Sequence, residues 1–296
     1  MKNLLLFTLL LLQLAQADMG SIPFKKGAKI TEPRQDAIIA WNGKEQLLYL
    51  QTTLAASAET KILEVMPLPN KPTVTKADPG VFKRCAFHMP RRRANRGKGD
   101  RDDPFGDPGA LPAAEVVDRK LIGAHDLRTV KLLDAKKFAA WIAKEFTHEG
   151  KPLHVPPSLL KVIDEYAQDG FEWFLFDVVD VAKHKAKKTP LKIRFKTDHL
   201  YYPMRITRTE KGHTTVSLAV ITNVLFTKKD CLGIPRDEIT VPAVPIALSG
   251  DRVRFIDPPI FELLGNPFEA KLRTWEISGQ IDTFKKDLLI RNPAAQ

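Results

Sequence analysis

Two pairs of adjacent residues, His125–Asp126 and Asp198–His199, combine an imidazole with a carboxylate. Such a pair can supply a general acid and base, or two ligands for a metal ion. Both pairs fall in stretches that read as strands, where neighbouring side chains point to opposite faces. Neither pair therefore closes on one site by itself, and a site requires His125 to meet Asp198 or His199 through the tertiary fold. A second pair of acids, Asp177 and Asp180, interrupts the apolar run from Trp173 to Val181. A carboxylate buried there must be ion-paired, hydrogen-bonded or protonated. A Lys or Arg on a neighbouring strand would suffice, as would a wet strand end. The chain has no GxSxG elbow, phosphate loop, GxGxxG or HExxH, so the sequence assigns no catalytic, cofactor-binding or metal-binding residue. Cys85 and Cys231 are the only cysteines. In an oxidising compartment they are candidates for one disulfide closing a long loop; the other reading is two separate buried thiols.

The compartment is set by residues 1–17, which read as an export signal. Lys2 supplies the positive end, Leu4 to Leu14 the apolar core, and Ala15-Gln16-Ala17 the small-x-small site for cleavage between Ala17 and Asp18. The expected product, residues 18–296, is periplasmic or secreted. No later stretch is long and apolar enough for a transmembrane helix, so no transmembrane segment is expected in the mature chain. A formal charge of +11 favours anionic partners such as an envelope component. Nucleic acid is disfavoured, because the basic run from Arg91 to Arg101 carries no interleaved aromatic residues for base stacking. That run belongs to a Gly- and charge-rich stretch, 89–112, which cannot build a core and reads as a disordered loop.

Around these residues the chain reads as one extended α+β domain, mostly antiparallel sheet with an inserted pair of amphipathic helices. Lys120 to Leu133 reads as a strand. A helix follows with Phe138, Trp141, Ile142 and Phe146 on one face and Asp134 placed to cap it. A second helix carries Leu159, Val162, Ile163 and Tyr166, starting after Pro156-Pro157-Ser158 and ending at Gly170. The return strand, from Phe171 to Val181, is apolar enough to be covered on both faces. Earlier, Ala37–Trp41 and Gln46–Thr52 flank Asn42-Gly43, the strongest short hairpin signal. Thr60–Met66 then reads as a third antiparallel strand. After a basic turn at His184, Lys185, Lys187 and Lys188, alternating stretches near Leu191–Phe195, Met204–Ile206 and Val216–Val220 suggest a meander. Six prolines between Pro235 and Pro267 break the following chain into short pieces, before strands at Ala270–Ser278 and Asp287–Arg291.

The run Glu32 to Trp41, with Glu45 and Leu47 to Leu50, resembles the opening of a family of exported bacterial and archaeal proteins, the domain of unknown function 2330. Leu63 to Pro69, Ile122 to Asp126, Val130 to Trp141, Tyr201 to Thr207 and Leu272 to Trp275 follow in the family's order. The resemblance implies an exported mixed α and β protein with no catalytic residues to carry over. Some members have a C-terminal membrane segment that is missing from this sequence. The expected role is non-enzymatic binding or envelope association, with no cofactor; the alternative is a hydrolase of extracellular polymers whose acids and histidines come together from afar.

Overall fold

A computed structural model describes residues 19–89, 114–148, 150–181, 186–209, 212–265 and 267–292. The candidate signal peptide, its Ala17–Asp18 cleavage site and all but Met89 of the 89–112 loop lie outside these residues. Two sheets are stacked face to face. The five-stranded sheet has the order β1 (Gly20–Pro23), β4 (Thr60–Leu68), β10 (Trp173–Val181), β7 (His125–Leu132), β6 (Ala114–Ile122), antiparallel throughout. The larger sheet runs β15 (Ile239–Thr240), β17 (Glu269–Gln280), β14 (His213–Thr222), β2 (Ile30–Trp41), β3 (Glu45–Ala56), β12 (Leu191–Lys196), β5 (Thr73–Lys76). Two short strands join its flanks, β11 (Ala186–Lys187) on β3 and β16 (Ile246–Ser249) on β17. A ribbon of β13 (His199–Tyr202) and β18 (Leu288–Arg291) buries Leu200, Tyr201, Tyr202, Leu288 and Ile290 in the core between the sheets.

Strand alternation builds the layers. In β10, Phe174 and Phe176 face the helices α2 (Ala135–Glu145) and α3 (Pro157–Gln168), where they meet Phe138, Trp141 and Ile163. Leu175 faces the other way and joins Met66, Leu50, Ile193 and Trp275 between the sheets. The far face of the large sheet, with Ile38, Leu47, Tyr49 and Leu272, is covered by α1 (Gly80–Phe87), α4 (Gly250–Ile256) and α5 (Pro258–Leu263). The order of layers is helix, sheet, sheet, helix, and β10 lies at the centre of the smaller sheet with both faces buried.

Local chemistry sets the ends of these elements. Asp134 accepts hydrogen bonds from the amides of Lys136 and Lys137 and caps α2. Gly170, at φ 84°, lets the chain leave α3 in a left-handed turn and enter β10. A two-strand hairpin, β8 (Thr147–His148) with β9 (Lys151–Pro152), joins the two helices.

Several expectations are corrected. The stretch Lys120–Leu133 is not one strand: it turns at Gly123, φ 59°, and forms the hairpin β6–β7. The strands β2 and β3 pair through Asn42-Gly43, but β4 leaves them. After Ser57 the chain turns a corner so that Ile62 stacks on Leu54 and Ala56 from the opposite sheet. Met204–Ile206 is not a strand, because Asp287 accepts the amides of Met204 and Arg205 and the chain winds into a 3-10 turn, Arg205–Thr209. There is no meander: β14 lies parallel to β2 and antiparallel to β17. The proline-rich segment contains α4 and α5, since Pro258 and Pro259 occupy the first turn of α5, where a missing amide costs nothing. The candidate disulfide is not formed. Cys85 and Cys231 are free and buried on opposite faces of the large sheet, Cys85 on the inner face of α1 and Cys231 between the sheets. Burial pushes the Cys85 thiol up to about 12.

Because β10 is covered on both sides, Phe174→Ala and Leu175→Ala should each destabilise the protein by about 2–5 kcal/mol in urea denaturation. Loss from only one of the two would place the other face in water and contradict the layer order.

Candidate functional site

The acidic residue at the middle of β10 is where the chemistry-bearing side chains gather. Asp177 follows the alternation of Leu175 and so points between the sheets. Its partner across the ladder is Glu64 of β4, the only charged residue between Ile62 and Leu68. His125 stands at the start of β7, two residues from the position opposite Asp177. Lys188 comes from the other sheet. Its amide donates to the Thr52 carbonyl (3.1 Å), and its carbonyl accepts from Gln51 Nε2 (3.2 Å), so its backbone is fixed to β3. Its ammonium crosses the gap to Glu64 Oε2 and approaches Asp177 Oδ2 at 3.9 Å.

His125 completes the network. Its Nε2 lies 2.8 Å from the Thr189 carbonyl, and its Nδ1 lies 2.5 Å from Asp177 Oδ2. A carbonyl oxygen can only accept, so Nε2 carries a hydrogen. A proton must also lie between Nδ1 and Oδ2, since two bare acceptors would repel at that separation. Whichever atom holds that proton, the His125–Asp177 pair is neutral as a unit, and Lys188 with Glu64 makes a second neutral pair. Side-chain exposure is 0% for Glu64, 2% for His125 and Asp177, and 4% for Lys188. The site is sealed. Its groups could relay or store a proton, but no substrate reaches them. Ion pairs of this kind repay their desolvation only when all partners are present.

His125 meets Asp177 and Thr189, not Asp198 or His199, so the two His–Asp pairs do not combine into one site. Asp198 and His199 instead line an open cleft of roughly 810 Å³ at the end of the sandwich, together with Asn42, Lys44, Phe171 and Lys196. Asp126 is held by Arg119, bidentate at 2.9 Å, and by Arg128. Asp180 is exposed opposite Lys61. The sequence reading missed Glu64 and Lys188. A lone acid inside an apolar strand marks Glu64 as it marks Asp177, whereas Lys188 sits among other basic residues and nothing local separates it from them. Among the described residues no group of three or more His, Cys, Asp or Glu side chains could hold a metal ion.

A third buried acid, Asp287, lies apart from this network. Asp287 Oδ1 accepts from the Tyr166 hydroxyl (2.6 Å) and from the amides of Met204 and Arg205 (2.9 Å each). Burial holds this carboxyl above its ordinary range, while the hydrogen bonds and Arg205 pull it back. Arg205 stacks on the Tyr166 ring at 3.8 Å and pairs with Asp169 at 2.5 Å. This cluster ties α3 to β18.

The sealed network makes a specific energetic prediction. K188M should cost about 3–5 kcal/mol in chemical denaturation, because it leaves Glu64 buried without its counter-charge. The double change E64Q with K188M should cost less than K188M alone. A double variant less stable than K188M would show that Glu64 is not balanced by this lysine.

A family described as uncharacterized proteins conserved in bacteria, DUF2330, matches residues 14–241. No curated protein and no solved structure matches the chain. The matched span contains Glu64, His125, Asp177 and Lys188, and it ends before α4, α5 and β17. The chain belongs to the DUF2330 family of uncharacterized bacterial proteins.

Proposed function

We propose that this chain is an exported, envelope-associated binding protein, with the open cleft at Lys44, Phe171, Lys196 and His199 as its ligand site and an anionic envelope component as its ligand. One contrast carries the reading. The buried charged groups His125, Asp177, Glu64 and Lys188 are sealed and paired with one another, while the open cleft sets an aromatic ring and two amide side chains beside two lysines. Lys44 forms no ion pair among the described residues, whereas Glu45 in the same wall is held by Arg194 in a bidentate pair at 2.7 and 2.9 Å and also feels Lys196 across the ladder. Arg194 holds the Glu45 carboxyl below its ordinary range, so it stays charged and occupied. Exposed lysines beside an aromatic ring suit an anion with an apolar or sugar face. Export rests on the pattern of residues 1–17. No helix among the described residues is long and apolar enough to cross a membrane. We also read α2 and α3, which bury Phe138, Ile142, Leu159 and Ile163, as one amphipathic pair inserted between β7 and β10.

A hydrolase of extracellular polymers is the second reading, favoured by Asp198 and His199 lining the same cleft. One set of measurements separates the two. Intact mass of the native protein should give an N-terminus at Asp18, and retention of Met1 would overturn export. Calorimetric titration with an anionic and a neutral polysaccharide should show binding of the anionic one alone, weakened about tenfold or more by K44E with K196E. Turnover of either polymer that disappears in H199A would replace binding with hydrolysis.

A further inference from the structure

The outer helices α1 and α4 carry a second surface that the cleft does not use. Phe87 is 77% exposed and Phe255 56% exposed, and the His88 ring lies between them, edge-on to each at 5.4 and 6.3 Å. Large aromatic rings left in water on adjacent helices cost free energy that a folded chain ordinarily avoids. Each ring has an exposed cation on its own helix face: Lys83 lies one turn before Phe87, and Arg252 three residues before Phe255. Arg254 stands beside them, stacked on Phe261 at 4.1 Å. Among the described residues Lys83, Arg252 and Arg254 form no ion pair, and Arg84 alone is neutralised, by Asp78 at 2.6 Å. Asp251 is the one free carboxylate on α4. Burial and the nearby Arg252 hold His88 below its ordinary range, so the ring between the two phenylalanines is uncharged at neutral pH.

We propose that this face docks on an anionic lipid bilayer, with Phe87 and Phe255 inserted at the headgroup boundary and Lys83, Arg252 and Arg254 on the lipid phosphates. The charge selects the partner: on this face Lys83, Arg252 and Arg254 outnumber Asp251, which favours a negative surface over a neutral one. The shape selects the class. The rings project from two helices as separate prongs with cations around them, a form that suits a laterally uniform surface better than the pocket of one protein partner. Long basic side chains can lie along the interface while their charged ends stay hydrated. This inference deepens the envelope-associated reading and rests on it for its biological setting.

The test is flotation of the purified native protein with phosphatidylcholine vesicles, with and without phosphatidylglycerol. Wild-type protein should float only with the anionic vesicles and release as salt rises, because exposed charges are screened over about 10 Å at 0.1 M salt. R252E with R254E should weaken binding about tenfold or more. F87A and F255A should each weaken it several-fold while the protein stays folded, since both rings are largely exposed and each loses only an edge contact with His88. Equal flotation with neutral vesicles, no flotation with anionic ones, or unimpaired binding by the folded charge-reversed variant would overturn the proposal. So would tighter binding to a single-stranded oligonucleotide than to the vesicles. Cell fractionation separates the two readings. Protein that stays with the envelope as R252E with R254E would sink this face and keep the envelope role; wild-type protein recovered free of the envelope, yet binding vesicles, would do the reverse.

Discussion

Lys188 is attached by its backbone to one sheet and by its charge to the other. Its amide and carbonyl are hydrogen-bonded to Thr52 and Gln51 of β3, and its ammonium meets Glu64 and approaches Asp177 of the smaller sheet. Thr189 adds a second crossing through His125. Apolar packing between sheets is strong but tolerant of sliding, because it has no preferred register. A buried ion pair has one register only, since any shift strands a charge in a low-dielectric interior. The large apolar layers supply most of the stabilisation, and this polar layer selects which of their alignments is native. It also divides the inter-sheet core, with Met66 and Leu175 on one side and Ile62 and Val179 on the other.

Much of the local structure was legible. Asp134 and Gly170 mark the ends of the helical region, and the Asn42-Gly43 turn closes the β2–β3 hairpin, because capping and turn chemistry act over three or four residues. The central strand was legible too, since only a position covered on both sides accepts Trp173 to Phe176 in succession. What escaped was set at long range. Ser57 turns β4 into the other sheet because Ile62 finds its packing partners there, and Asp287 bends Met204 and Arg205 into a 3-10 turn from eighty residues away. The proline-rich segment hid α4 and α5, because proline starts a helix as readily as it ends one. Of the site, Asp177 and His125 were visible as unusual residues but their pairing was not. Lys188 was invisible, since its role depends on a strand nearly 140 residues earlier.

The same geometry separates charges that join the sheets from charges open to solvent. Buried pairs hold the sheets together, while Lys44 at the cleft, Lys83 on α1 and Arg252 and Arg254 on α4 are exposed and form no ion pair among the described residues. Among the described residues, the buried constellation of His125, Asp177, Glu64 and Lys188 lies between Leu175 and Val179 of β10.

The central claim is that His125 is locked between Asp177 and the Thr189 carbonyl, away from water. Long-range proton–nitrogen correlation NMR on the imidazole tests it directly. The account predicts a persistent Nε2–H resonance that exchanges slowly with solvent and is lost in D177N or K188M while the fold survives. An imidazole N–H exchanging as fast as that of a surface histidine would contradict it, opening the network to solvent and returning His125 and Asp177 to the list of groups that could act on a substrate.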